Sequence, residues 1–192
     1  MEKTDQELIF EYKEGNKRSL ETLIDRHLKS VYNFAFRMTG SAADADDVSQ
    51  ESFLKAWKNI NKYNPELSFR TWLLSITRNA SIDFLRKRKG INFSELDQLS
   101  DGEDKKFEDT IVDSELLPDA VFERKEIETV AQRALESIPI PMKEVVLLHL
   151  AEGLTFEEIA KALKEPMNTV KSRYRRALES IRKFLTGDIA PK

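Results

Sequence analysis

The apolar positions of this chain recur every three or four residues through most of its length, the period of amphipathic helices rather than strands. The stretch around which the rest is organised is 68–89, SFRTWLLSITRNASIDFLRKRK. Phe69, Leu73, Ile76, Ala80 and Phe84 form one stripe, and Ser68 is a good N-cap residue for the helix it opens. Upstream, Thr4 and Glu7 have capping-box spacing, which predicts a helix over 4–14 stopped by Gly15. A second helix is predicted over 17–39, with Leu20, Leu23, Ile24, Val31, Ala35 and Met38 buried and Gly40 as its stop. Ser41 caps a third over 42–60, whose Ala45, Val48, Ser52 and Ala56 face a core. Asn64-Pro65 is a turn signal ahead of the organising helix.

The period is lost from Gly90 to about Pro118. Between 91 and 119 there are ten acids and two lysines, so this reads as an acidic, flexible or extended linker. Helical spacing resumes near Asp119 with Val121, Ile127, Val130, Ala131, Ala134 and Leu135. Pro139 ends that helix, and Pro141 suits the first turn of the next, which runs to Gly153. Thr155 and Glu158 form a second capping box for a short helix ending near Lys164. After a tight turn, Asn168 is expected to cap a last helix over 169–185. Two short helices joined this way make a helix-turn-helix.

Composition narrows the class. Six glycines and six prolines are too few for a turn-rich β-sandwich. With no cysteine there is no disulfide framework and no thiol-ligated metal. No run of about 18 apolar residues exists, so the expectation is a soluble cytoplasmic protein. The net charge of −3 conceals segregation: 166–184 holds six basic residues and one acid, and the organising helix ends in Arg86, Lys87, Arg88 and Lys89.

Three faces carry candidate chemistry. On the third helix Asp44, Asp47 and Glu51 share a face, with Gln50, Phe53, Leu54 and Trp57 beside it. This row admits a hard-cation site, a solvated acidic face, or a docking surface with apolar anchors. On the organising helix Arg70, Thr71, Trp72, Arg78 and Asn79 leave the apolar stripe, and a basic face with an exposed aromatic suits phosphates and a stacking base. On the last helix Val170, Tyr174, Ala177 and Ile181 point inward. Thr169, Ser172, Arg175 and Arg176 point away, with Lys171 and Arg173 on the flanks. Outward basic side chains near a helix N-terminus suit major-groove readout. His27 and His149 read as packed histidines rather than ligands.

These motifs together resemble the bacterial RNA polymerase sigma factors of the extracytoplasmic-function class. DADDVSQESFLKAW is similar to the family's core-polymerase-binding helix. SFRTWLLSITRNASIDFLRKRK resembles its promoter-melting and −10 recognition helix. EVVLLHLAEGLTFEEIAKALKEPMNTVKSRYRRALESIR resembles its −35-binding helix-turn-helix. The likeness covers 8–185. It departs at Lys164-Glu165 and Asn168, where glycines are common. It implies an all-α fold of two small helical domains: 1–90 (sigma region 2), an acidic flexible linker over 91–118, and 119–192 (sigma region 4). It implies polymerase contacts by Asp44, Asp47, Gln50, Glu51, Phe53 and Trp57. Non-template-strand contacts near −10 would fall to Arg70, Thr71, Trp72, Arg78, Asn79, Asp83, Arg86 and Lys87, with 63–68 as the base-capturing loop. Contacts at −35 would fall to Thr169, Lys171, Ser172, Arg173, Arg175 and Arg176. The implied partners are core RNA polymerase (the largest-subunit clamp coiled coil and the flap), promoter DNA as duplex and as melted non-template strand, and an anti-sigma factor, often membrane-anchored, that would hold the protein at the inner membrane face. The linker would thread toward the RNA exit path as an acidic mimic. No cofactor, metal or small-molecule substrate is implied, and no residue performs catalysis.

A free-standing helix-turn-helix regulator acting without polymerase would explain 155–185 and leave the first half without a role. An enzyme lacks a nucleophile–base set, a phosphate loop or metal-spaced histidines. A helical adaptor without DNA function leaves the charged recognition helix unexplained.

Overall fold

The computed structural model describes residues 3–89 and 121–187. The expected linker lies outside the described residues. Among them there are eight α-helices and no strand: α1 (Asp5–Lys13), α2 (Lys17–Thr39), α3 (Ala42–Lys58), α4 (Phe69–Lys89), α5 (Val121–Glu136), α6 (Ile140–Val146), α7 (Phe156–Leu163) and α8 (Met167–Leu185). A 3₁₀ turn, Ile60–Lys62, follows α3, and a π-helical turn, Leu147–Ala151, continues α6. No described helix is long and apolar enough to cross a membrane.

The predicted boundaries hold where a side chain caps them. Thr4 and Glu7 bond reciprocally at the start of α1, as do Thr155 and Glu158 at α7. Gly40 ends α2 in the left-handed region, φ 78°, where its N–H reaches the Phe36 carbonyl. Ser68 Oγ accepts from the Thr71 N–H at 3.0 Å. One boundary differs from expectation: α8 begins at Met167, so Asn168 lies in its first turn and does not cap it. The N–H groups of Thr169 and Val170 close onto the Pro166 carbonyl, and the ring of Pro166 presets the entry. Lys164 stands where a glycine is common and adopts φ 57°, a left-handed conformation costing a side-chain-bearing residue roughly 1–2 kcal/mol.

α2, α3 and α4 pack as a three-helix unit with α1 laid across it. Ala35, Ala45, Val48 and Ala80 line one contact, small enough to let the helices approach closely. The buried hydroxyls there are satisfied within their own helices. Ser49, Ser52, Thr77 and Ser81 each donate to the carbonyl four residues earlier. α1 contributes Leu8 and Ile9 to a second cluster with Leu23, Val31, Phe53, Phe69 and Leu73. It is also pinned by Asp5, which accepts from Arg26 at 2.6 Å and faces His27 Nε2 at 2.8 Å. His27 is thus a packed histidine, as expected, and its partner lies on α1.

α5 to α8 form a second unit, and the two units share one core. Phe34, Met38 and Leu74 of the first pack with Val145, Leu147, Leu148, Leu154, Ile159 and Val170 of the second. His149 is likewise structural: its Nδ1–H donates to the Leu154 carbonyl at 2.7 Å, and its ring packs against Phe156 and Tyr174, which also touch each other.

Candidate nucleic-acid interface

α3 has an inner and an outer face, set by its period of 3.6. Asp47 and Gln50 are exposed, and Glu51 is half-exposed and paired with Lys55 at 2.8 Å. Asp44 is different, because it is half-buried and ion-paired with Arg88 of α4. The apolar anchors expected here are not on the surface. Phe53 is buried in the core, and Trp57 is half-buried among Tyr12, Phe53 and Phe69. Both belong to the row that holds Ser49, Ser52 and Ala56 inside. The exposed apolar side chain in line with Asp47, Gln50 and Glu51 is Leu54.

α4 is packed on two sides, so little of it faces solvent. Thr71 is fully buried, with its hydroxyl 2.8 Å from Ser68 Oγ, and has no surface to offer a ligand. Trp72 is not an exposed aromatic. It is half-buried against Tyr63 and Phe69, ring centroids 5.4 and 5.7 Å away. Tyr63 also donates to the Leu67 carbonyl at 2.8 Å, which braces the loop before α4. Asn79, Arg86 and Lys87 are exposed, and Asp83 lies between Arg86 at 3.3 Å and Lys55 at 3.7 Å.

The two arginines of that face are engaged by the second unit. Arg70 donates to the Glu152 carbonyl at 2.6 Å and pairs with the Glu152 carboxylate, which also accepts from Ser30 at 2.6 Å. Arg78 holds Glu144 as a fork, at 2.5 and 2.9 Å. Glu144 is wholly buried. Burial pushes its carboxyl above the ordinary range, against the opposing pull of Arg78 and Arg173. These acids were not recognisable from sequence, because each sits inside an apolar run with no acidic neighbour on its face.

On α8, Lys171 is exposed, while Thr169, Ser172, Arg175 and Arg176 are half-buried along the outer side. Arg176 bonds back to Ser172 through its carbonyl at 3.4 Å and its hydroxyl at 3.2 Å. Arg175 lies 4.0 Å from Glu179. Arg173 is not on this face. It is buried, paired with Glu165 of the turn at 2.7 Å and near Glu144 at 3.7 Å. Met167 and Asn168, in the exposed first turn, join the outer face instead. No group of acids or histidines among the described residues is arranged to hold a metal ion.

Comparison with known proteins gives the arrangement its relatives. Residues 23–91 match sigma-70 region 2 and residues 129–181 match sigma-70, region 4. The ECF RNA polymerase sigma factor SigW of Bacillus subtilis is 29% identical over 92% of this chain and 94% of its own length. The ECF RNA polymerase sigma-E factor of Haemophilus influenzae is 31% identical over 93% of each chain. The solved structure of the sigma factor RpoE in complex with the anti-sigma factor NepR from Bartonella quintana shares the fold, with TM-score 0.64 and 24% identity over 88% of this chain and 98% of that one.

Proposed function

The chain belongs to the extracytoplasmic-function sigma factors of RNA polymerase, and from that membership we propose how its faces divide the work of transcription initiation. The observation that carries the reading is the order of the two family matches. Region 2 falls on α2–α4 and region 4 on the helix-turn-helix, so each candidate face lies in the part whose function it suits.

The outer face of α3 docks core polymerase. Asp47, Gln50 and Glu51 supply charge complementarity, and Leu54 supplies apolar area. The polar side of α4, with Arg70 and Arg78 and the exposed Asn79, Arg86 and Lys87, meets the non-template strand near −10. Trp72 and Tyr63 stand at the rim where an unstacked base is received, an exchange costing a few kcal/mol of stacking that the site's own stacking and phosphate contacts offset. Lys171, Ser172, Arg175 and Arg176, with Thr169 at the start of the row, face the −35 duplex. Arg173 orients this helix from behind by holding the turn. The acidic stretch over 91–118 serves as the connection between the two promoter-reading parts. An anti-sigma factor is the expected regulator, since a structural relative is described in such a complex. A free-standing regulator leaves the region 2 match without a purpose.

The test is reconstitution of transcription from purified protein, core RNA polymerase and a promoter library. Run-off products that require both proteins, sharing upstream elements at −35 and −10, support the division proposed. Products lacking a shared −35 element would remove the assignment of α8.

A further inference from the structure

We propose that α1 is a positioning element for strand opening: Asp5, through His27 and Phe69, and Gln6 directly, set the aromatic pair Tyr63 and Trp72 that receives the unstacked base. This rests on the reading of that pair as the receiving rim. The contacts run in series from α1 to the rim. The capping box of Thr4 and Glu7 fixes the start of α1, so Asp5 and Gln6 are its first two residues. One oxygen of Asp5 accepts from Arg26 at 2.6 Å and the other faces His27 Nε2 at 2.8 Å. That bond fixes which ring nitrogen of His27 carries the proton and how the ring is turned. The ring meets Phe69 edge-on, centroids 5.4 Å apart. Phe69 is buried and backs both rim residues, each 5.7 Å away.

The loop over 63–68 depends on Tyr63 for its place. Tyr63 and Leu67 are half-buried and the other four residues are exposed. Glu66 N–H bonds Asn64 Oδ1 and Leu67 N–H bonds the Asn64 carbonyl, which shapes the loop without attaching it to the core. Tyr63 attaches it: its ring packs on Phe69 and Trp72, and its hydroxyl donates to the Leu67 carbonyl. The Gln6 side chain hydrogen-bonds the same hydroxyl. Burial and the nearby Asp5 carboxylate push the Tyr63 phenol above its ordinary range, so it keeps the proton it donates. An acid beside a strand site opposes phosphate by its charge alone. Asp5 is therefore placed for its two acceptor oxygens, which hold Arg26 and His27, and not for attraction to the strand.

Core RNA polymerase reconstituted with each variant is assayed on one promoter recovered with the parent protein. The promoter is supplied as intact duplex and as a heteroduplex already unpaired over the −10 region. The ratio of duplex to heteroduplex rates reads opening, because loss of folded protein or of polymerase affinity lowers both together. Asp5→Ala should lower the ratio about tenfold and Gln6→Ala about threefold, the order expected for a charge-assisted and a neutral hydrogen bond. Asp5→Asn also removes the charge but keeps an acceptor for His27, and should stay within about threefold of the parent. Gln6 is exposed, so Gln6→Ala decides if Asp5→Ala fails to fold. Parental ratios in Asp5→Ala and Gln6→Ala would overturn the proposal. So would a ratio raised alike in Asp5→Ala and Asp5→Asn, the result for an acid that acts by charge alone. Tyr63→Ala and Trp72→Ala then say which premise failed. A ratio lowered in these two leaves the receiving pair standing and removes only the role of α1. An unchanged ratio removes the pair's assignment as well.

Discussion

Arg173 and Arg176 lie three residues apart on α8 and have opposite surroundings. Arg173 is enclosed with Glu165 and Glu144, whereas Arg176 lies on the outer side over Ser172. Arg173→Ala should lower stability by about 1–3 kcal/mol, because it leaves Glu165 without its cation and Glu144 with Arg78 alone. Arg176→Ala should leave the melting temperature unchanged and weaken −35 duplex binding by roughly 1–3 kcal/mol. Thermal melting and duplex titration of the two variants separate the roles, and a stable Arg173→Ala with weakened duplex binding would reverse them. The spacing held the signal. Arg173 is three from Val170 and four from Ala177, so it belongs to the inner row, but its charge argues for the outer one. Asp5 is a second residue-level case. Burial alone would raise its carboxyl, but the bonds with His27 and Arg26 outweigh burial and hold it below the ordinary value of about 4. A depressed carboxyl adds stability that is present above its unfolded value and is lost as pH falls through the folded one. The urea midpoint of the parent should therefore fall more steeply below about pH 4 than that of Asp5→Asn. Parallel acid limbs would show that the link from α1 to α2 contributes no such term.

At the level of the helix, α3 shows what period alone can separate. Phe53 and Leu54 are adjacent, and one is in the core while the other is 59% exposed. Phe53→Ala should destabilise by about 3–5 kcal/mol with polymerase association measured on the surviving fold little changed. Leu54→Asp should melt like the parent and lose association with core polymerase. Co-purification with core enzyme at parental levels would remove Leu54 from the docking face. Helices with side-chain caps were legible nearly to the residue, because a capping box is a local interaction written in neighbouring positions. The faces of α4 were not. A helix that packs on two sides buries Thr71, Leu74, Thr77 and Ser81 as well as its obvious stripe, and small hydroxylated residues bonded to their own helix look like surface in a sequence. The π turn was equally invisible, since LLHLA differs little from any apolar helical segment.

At the scale of the whole molecule, loss of periodicity over 91–118 divides the chain into two helical units and leaves open how they sit together; in the structure α4 and α6–α8 share a continuous core. Nothing local marks Leu74 or Met38 as contacts across units, because their partners lie about a hundred residues away, beyond any helical period. The shared core has a calorimetric consequence. Two independent units would melt in separate transitions, each with an enthalpy set by its own size. One shared core should give a single transition of about 100 kcal/mol, at about 0.7 kcal/mol per described residue, with the van't Hoff enthalpy equal to the calorimetric one. Leu74→Ala, which removes a side chain at the centre of that core, should lower stability by about 2–5 kcal/mol and broaden or split the transition. Scanning calorimetry of parent and variant decides it. Two resolved transitions in the parent would mean that the units melt separately and that contacts between them add little. A single transition that splits only in the variant would mean that joining the two units is itself a large part of this protein's stability, which a binding partner must then overcome to separate them.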